Sequence, residues 1–264
     1  MKIDRFLVIL VLIVWLTSCN NEHMVNSNGG YFDVILETSI IKTCTKKEVL
    51  LRNADMFIYQ NKQNLAIRTL NLYLKLDSTN AIVYNSLGDL CYKKQDYRKA
   101  TEYFIRSYAL DSVNFVVNSN LSLCYYQLNI PDSVIYFGEN ALLLDSSEVI
   151  SYELLSAVYS IIDKPEVSLY YAAQGLKLDI MNDYLHFLKG MCFLQQNNFI
   201  EAIKSFDTAI LLNSFNPSYF EKRGISFLKL KYVGKALEDF NKVYELGGEV
   251  HGEEISLLDS INGN

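Results

Sequence analysis

The chain has 264 residues, half of them apolar and a fifth charged, with 24 basic and 30 acidic side chains and a net charge of −6. This composition supports an ordered core and excludes global disorder, and three prolines and twelve glycines exclude collagen-like and proline-rich sequences. No run of Lys and Arg stands out, so phosphate-backbone binding has no electrostatic footprint and nucleic acid is not an expected partner.

The N-terminus has the layout of a secretory signal. Lys2 and Arg5 precede an unbroken apolar stretch, Phe6–Leu16, which is followed by Thr17, Ser18 and Cys19. Eleven apolar residues fall well short of the roughly twenty that a spanning helix needs. The four residues Leu16, Thr17, Ser18 and Cys19 resemble the lipobox of bacterial lipoproteins. That resemblance implies cleavage of residues 1–18 and acylation of Cys19. The other reading is ordinary cleavage after Ser18, with a free thiol left behind. Two or more acyl chains give stable membrane anchoring, at about 0.8 kcal/mol per buried CH₂. The leader holds Lys2, Arg5 and Asp4, so its removal takes the tally from 24 basic and 30 acidic to 22 and 29. Residues 20–30 are polar, Asn-rich and end in Gly29-Gly30, as a flexible tether does. Asn rather than Asp follows Cys19, which by the same resemblance favours the outer membrane.

Residues 31–41 are rich in apolar side chains whose period fits either strand or helix. They are expected to pack as an N-terminal cap on the chain beyond residue 46, within a segment covering residues 19–46.

A period of 34 residues then governs the chain. Six blocks run without insertion: 47–80, 81–114, 115–148, 149–182, 183–216 and 217–250. The eighth position is always small: Ala54, Gly88, Ser122, Ser156, Gly190, Gly224. The twentieth is Ala66, Ala100, Val134, Ser168, Ala202, Ala236, and the thirtieth is Leu six times, from Leu76 to Leu246. The eleventh is aromatic in every block but the second, which has Cys91. The segment from Ala81, with Tyr84, Leu87-Gly88, Tyr92, Ala100 and Phe104, resembles the tetratricopeptide repeat. The resemblance implies an all-α, right-handed solenoid of about six helix hairpins with short capping segments. Small residues at eight and twenty let paired helices approach, and large residues at eleven, twenty-four and thirty are expected to fill the space between hairpins. One hairpin cannot bury its apolar face alone, so stacking is obligatory.

The punctuation agrees. Pro131 and Pro165 share position seventeen, and Pro217 opens the last block, all in first turns where a missing N–H costs nothing. Asn80, Asn114, Asn182 and Asn216 close their blocks as N-caps for the next helix. Blocks three and four put Gly138 and Ala172 at the large twenty-fourth position, with Phe137 and Tyr171 beside them as compensation, and Tyr73 stands where block one wants a small residue. Gly247-Gly248 ends the last helix, and Ile255, Leu258 and Ile261 give residues 251–264 the spacing of a short capping helix.

No catalytic motif is present: no Gly-x-Ser-x-Gly, His-Glu-x-x-His or phosphate loop. An enzyme is therefore not expected, nor a cofactor, metal or small-molecule substrate. His186 reads as a packed aromatic-slot residue, and His251 with Glu253 and Glu254 as a solvated tail. Cys91, Cys124 and Cys192 sit where a small apolar filler is natural; Cys91 and Cys124 lie on adjacent first helices and either fill space or pair as a disulfide.

What remains is a surface. In tetratricopeptide arrays the first helices line a concave groove through positions two, five, nine, twelve and thirteen. Carried onto this sequence, the resemblance gives Asp55, Tyr59, Asn85, Asp89, Tyr92, Lys93, Ser119, Tyr126, Gln127, Glu153, Tyr184, Phe187, Gln195, Glu221 and Lys229. Aromatic and amide side chains with few charges suit an extended peptide or a partner helix. Asn85 and Lys93 are fragments of a carboxylate clamp at most, so chaperone-tail recognition is not expected. The expected function is a scaffold in the bacterial cell envelope. It would be held by Cys19, facing the periplasm or exposed at the surface, and would recruit a protein or peptide partner. The alternative is an assembly or secretion factor that binds several clients transiently, as a periplasmic chaperone does.

Overall fold

A computed structural model of the chain describes residues 46–250. The expected signal peptide, Cys19, the expected tether, the apolar segment 31–41 and the expected C-terminal cap 251–264 lie outside the described residues. The chain divides into two compact units, 1–49 and 50–264. The described part of the first is only the start of a helix that runs over 46–59, so the fold described is that of the second.

Among the described residues there are twelve helices and no strand. They are α1 (46–59), α2 (Gln63–Leu74), α3 (Ala81–Lys93), α4 (Tyr97–Leu110), α5 (Phe115–Gln127) and α6 (Pro131–Leu144). Then come α7 (Val149–Ile161), α8 (Pro165–Leu178), α9 (Asp183–Gln195), α10 (Phe199–Leu212), α11 (Pro217–Lys229) and α12 (Val233–Glu245). Successive helices pair as antiparallel hairpins, and each second helix also packs on the first helix of the next hairpin. The first helices form a row of their own, α3 on α5, α5 on α7, α7 on α9 and α9 on α11, and the second helices form no such row. This is an all-α solenoid of tetratricopeptide hairpins.

The turn inside every hairpin is the same. A residue with positive φ recurs every 34 positions: Asn61, Gln95, Asn129, Asp163, Asn197 and Lys231. The N–H of the next residue donates back to the carbonyl five residues earlier, from Lys62 to Phe57 through Tyr232 to Phe227, at 2.8–3.0 Å. The positive-φ residue's own N–H donates to the carbonyl three before it, as in Gln95 to Tyr92 at 2.8 Å. This pair of bonds is the Schellman closure, which satisfies carbonyls that a helix end would leave bare. Gly247, with φ of 77°, ends α12 by the same device.

Starts are equally regular. Asn80, Asn114, Asn182 and Asn216 each accept a first-turn N–H through the side chain. Glu148 does so for α7, where the sequence has no Asn. Pro131, Pro165 and Pro217 occupy the first helical turn of α6, α8 and α11.

The core follows the small-and-large pattern with one correction. The small residues at positions eight and twenty are buried. In hairpins two, three and four the Leu at position thirty does not fill the space between hairpins: Leu110, Leu144 and Leu178 are exposed, whereas Leu246 packs on the core of the last hairpin. Each exposed Leu is the last residue of its helix, and the tight contact is made one turn earlier, at position twenty-seven. There Ser107, Ala141, Gly175 and Ala209 are small and buried, and within hairpin two Ser107 Oγ donates to the Ala81 carbonyl at 2.8 Å. A Cβ on Gly175 would lie 2.7 Å from Leu185 Cδ1. Tyr73 fits this position in hairpin one by burying its ring while its hydroxyl accepts from Asn80 Nδ2 at 2.9 Å.

The expected compensation in hairpins three and four is present. Phe137 stacks on Tyr125 at 5.6 Å and 7°, and Tyr171 stacks on Tyr159 at 5.5 Å and 5°. Both pairs join position eleven to position twenty-three. The vacated twenty-fourth position is tightened by polar contacts: Ser122 Oγ donates to the Val134 carbonyl at 2.9 Å, and Ser168 Oγ to the Ser156 carbonyl at 2.6 Å.

Candidate protein-docking groove

The row of first helices presents one face, because positions two, five, nine, twelve and thirteen fall within a narrow arc of a 3.6-residue helix. The structure links that face across hairpins in two clusters. The first joins hairpins two and three. Asn120 Nδ2 donates to both Asn85 Oδ1 (3.1 Å) and Asp89 Oδ1 (3.2 Å), and Gln127 Nε2 donates to the Tyr92 hydroxyl at 3.3 Å. Burial pushes the Asp89 carboxyl above its ordinary value, with Lys93 pulling it back. Tyr92 also leans on Tyr97, ring centres 5.2 Å apart.

The second cluster runs through hairpins three to six. Tyr126 and Tyr184 both pack on the cluster of Ala157, Leu185 and Leu188, which joins the third hairpin to the fifth. Phe187 stacks on Tyr184 at 6.1 Å and on Tyr219 at 4.9 Å, and Tyr219 donates its hydroxyl to Asp183 Oδ2 at 2.7 Å. Asn182 Nδ2 donates to Glu153 Oε1 at 2.7 Å. Burial raises the Glu153 carboxyl, Asn182 lowers it, and Glu148, Asp183 and Asp179 raise it further. Burial pushes the Tyr184 hydroxyl up as well, so it stays neutral and able to donate.

These residues are therefore half-buried and tied to one another rather than loosely presented. Tyr59 differs: it is 92% exposed, and Asp55 beside it is exposed too. Lys93, Gln127, Gln195 and Lys229 are exposed, and Gln195 is bonded to Ser160 (Nε2 to its carbonyl, 2.8 Å). Ser119 is buried, its hydroxyl donating to Glu148 Oε1 at 3.2 Å. Glu221 is 6% exposed and lies 3.2 Å from Lys222 Nζ, so its carboxylate is not presented to a partner.

Sequence reasoning passed over Asn120, which holds the first cluster together. It also passed over an apolar row on the same face: Ile82 (75% exposed), Val116, Ile150 and Ile161. Their signal was available, since they occupy repeat positions two and thirteen, but an aliphatic side chain at those positions reads as core where a polar or aromatic one reads as surface.

Among the described residues no three His, Cys, Asp or Glu side chains converge as a metal site would require, and no helix is long and apolar enough to cross a membrane. His186 is half-buried, its Nε2 2.9 Å from the Ile180 carbonyl. Cys91, Cys124 and Cys192 are buried free thiols, so the disulfide reading of Cys91 and Cys124 gives way to the filler reading. Burial pushes Cys124 up to about 12 and raises Cys91 and Cys192, so none is a thiolate at neutral pH.

The tetratricopeptide-repeat family model matches residues 81–114 and 184–216, the second and fifth blocks. A comparison with curated protein sequences found no match. Solved structures do match. Pseudomonas aeruginosa pilF is 15% identical, with a TM-score of 0.68 over 81% of this chain and 98% of that one. A tetratricopeptide repeat protein from Parabacteroides merdae is 13% identical, with a TM-score of 0.68 over 83% and 85%. YrrB, described as a TPR protein with an unusual peptide-binding site, is 17% identical, with a TM-score of 0.57 over 74% and 98%. At these identities the likeness establishes the fold alone. Two of the six blocks thus match the tetratricopeptide repeat itself, and the hairpin array as a whole shares the fold of solved tetratricopeptide proteins.

Proposed function

We propose that this protein is a non-enzymatic adaptor of the bacterial cell envelope, anchored through acylated Cys19 to the outer membrane and facing the periplasm. Its groove captures a peptide or helix of a partner protein. The observation that carries the reading is the inner face of α3, α5, α7 and α9. Cross-hairpin hydrogen bonds and ring stacks hold that face rigid, while Ile82, Val116, Ile150 and Ile161 remain uncovered on it. A preorganised surface with exposed apolar side chains binds at low entropic cost. YrrB, of the same fold, is described as having a peptide-binding site. Anchoring would raise the local concentration of the groove, so a modest affinity suffices.

The test is a crosslinked pull-down from detergent-solubilised envelopes, comparing the wild type with an Ile82→Asp, Ile150→Asp double variant. Both side chains are exposed, so the fold is expected to survive. One or a few partners lost from the variant support the adaptor. A broad client set would favour the assembly-factor reading, and identical capture by both proteins would refute groove recognition. Metabolic labelling with a fatty acid, lost in Cys19→Ala, tests the anchor.

A further inference from the structure

The groove is not uniform. At the corner of hairpin two, Tyr97 closes against Tyr92. One repeat later the same two positions are Pro131 and Tyr126, and there the corner is open. A cavity of about 200 Å³ lies between hairpins three and four, lined by Tyr126, Ile130, Pro131, Val134, Val158 and Ile161, with Asn129 at its rim. It is smaller than the roughly 300 Å³ at which small-molecule sites begin, which is the scale of a single apolar side chain. Ile130 and Ile161 stand exposed at its mouth.

Charge is distributed just as unevenly. Between Arg106 and Lys164 the chain has no Lys or Arg at all. The same stretch carries seven carboxylates: Asp111, Asp132, Glu139, Asp145, Glu148, Glu153 and Asp163. All of α5, α6 and α7, which build the cavity, lie inside it. Glu153 already stands among Glu148, Asp179 and Asp183, and among the described residues no Lys or Arg forms an ion pair with it. Tyr126 connects the two features, because it lines the cavity and packs on the same apolar cluster as Tyr184, whose hydroxyl feels the Glu153 carboxylate.

We propose that this corner is the specificity pocket of the groove and that it takes one apolar side chain of a basic partner segment. A Leu, Met or Phe anchors in the cavity while flanking Lys or Arg side chains neutralise the acidic middle of the array. The inference rests on the groove reading and goes further by naming the partner's chemistry. Charge complementarity selects a cationic segment over a second copy of this chain, which carries the same −6.

Fluorescence anisotropy on the full chain tests it, with three pools of labelled dodecapeptides. Each has one central Leu, flanked by Lys and Ser, by Glu and Ser, or by Ser alone. The Lys pool is expected to bind at least tenfold tighter than the Glu pool, to weaken as salt is raised, and to be lost when Leu becomes Ser. Ile161→Ser removes the apolar wall without changing charge, and Glu153→Gln removes charge without changing shape. Each should weaken the Lys pool at least fivefold. Equal or better binding of the Glu or Ser pools overturns the basic partner, while groove recognition still stands if the Ile82→Asp, Ile150→Asp variant loses its natural partner. Binding indifferent to Ile161→Ser overturns the pocket. Binding by no pool, or a dimer in solution that Ile161→Ser disperses, overturns the proposal in favour of another occupant.

Discussion

Gly88 lies so close to Phe104 that a Cβ added to it would sit 2.4 Å from the ring carbon Cε1. The same relationship recurs between Gly190 and Phe206 (2.5 Å) and between Gly224 and Phe240 (2.7 Å). Hairpin one uses Ala54 with Leu70, and hairpins three and four use Ser122 with Gly138 and Ser156 with Ala172. The two positions trade volume, so that a larger residue on one helix meets a smaller one on its partner.

Gly88→Ala is therefore expected to destabilise, although Ala is the better helix former by about 1 kcal/mol. Overpacking against a buried ring costs about 1–3 kcal/mol, so the net loss should fall between about 0 and 2 kcal/mol. Adding Phe104→Leu recreates the Ala54–Leu70 pairing and should recover part of it. Urea unfolding of the two singles and the double gives the coupling directly. Simple additivity would mean that the two positions do not share space.

The turn inside each hairpin yields a gain instead. Gln95 and Lys231 adopt the left-handed region, with φ of 60° and 63°. That conformation costs an L-residue about 1–2 kcal/mol, and Gly is free of it. Glycine's extra freedom in the unfolded chain takes back about 0.5–1 kcal/mol. Gln95→Gly and Lys231→Gly should each stabilise by about 0.5 kcal/mol, and Gln95→Val should destabilise by more than that. Thermal unfolding of the three variants decides it, and a Val variant as stable as the wild type would count against the left-handed assignment.

Those turns also mark what the sequence hides. The hairpin array was legible because small residues at positions eight and twenty recur at one phase, and each is fixed by helices in contact. The Asn caps were legible because Asn at a block's end has one obvious use. The left-handed position was not, since Asn, Gln, Asp and Lys occupy it and none carries the glycine signal. Leu110, Leu144 and Leu178 misled for the opposite reason: a repeated Leu looks like core, yet each stands at a helix end with its side chain turned out. In the groove the aromatic residues were legible by register. Their mutual packing was not, because Tyr126 and Tyr184, 58 residues apart in sequence, meet on one apolar cluster only once the hairpins stack.

Arg223 is the keystone of the last hairpin. Its Nε and Nη2 grip Asp239 at 2.9 and 2.6 Å, and Nη1 reaches Asp207 at 2.7 Å. The Asp239 side chain is almost fully buried. Arg223→Ala leaves that carboxylate without its partner and should cost about 3 kcal/mol, as broken buried pairs do. Burial already pushes the Asp239 carboxyl up, against the pull of Arg223. With Arg223 gone it should rise further, so the variant's deficit should shrink as pH falls and Asp239 takes up a proton. Denaturant unfolding at pH 7 and pH 4 checks both parts, and an equal deficit at the two values would place the loss in the guanidinium's packing over the Phe220 and Phe227 rings, 5.6 and 5.9 Å from their centres.

Glu153 gives a prediction of opposite sign. Burial raises its carboxyl above the ordinary 4.5, and Glu148, Asp183 and Asp179 add to the rise. A group whose folded value is raised holds its proton better in the native state. Below the unfolded value both states are protonated and the site costs nothing. As pH climbs through the folded value the native state must carry a poorly solvated charge, and stability is lost. Glu153→Gln keeps an oxygen to accept from Asn182 and removes that charge. The variant should match the wild type near pH 4 and exceed it at pH 7, with the difference opening above 4.5. If instead the variant is the weaker protein at pH 7, Glu153 has a cationic neighbour in the folded chain, and the acidic middle of the groove is already neutralised without a partner.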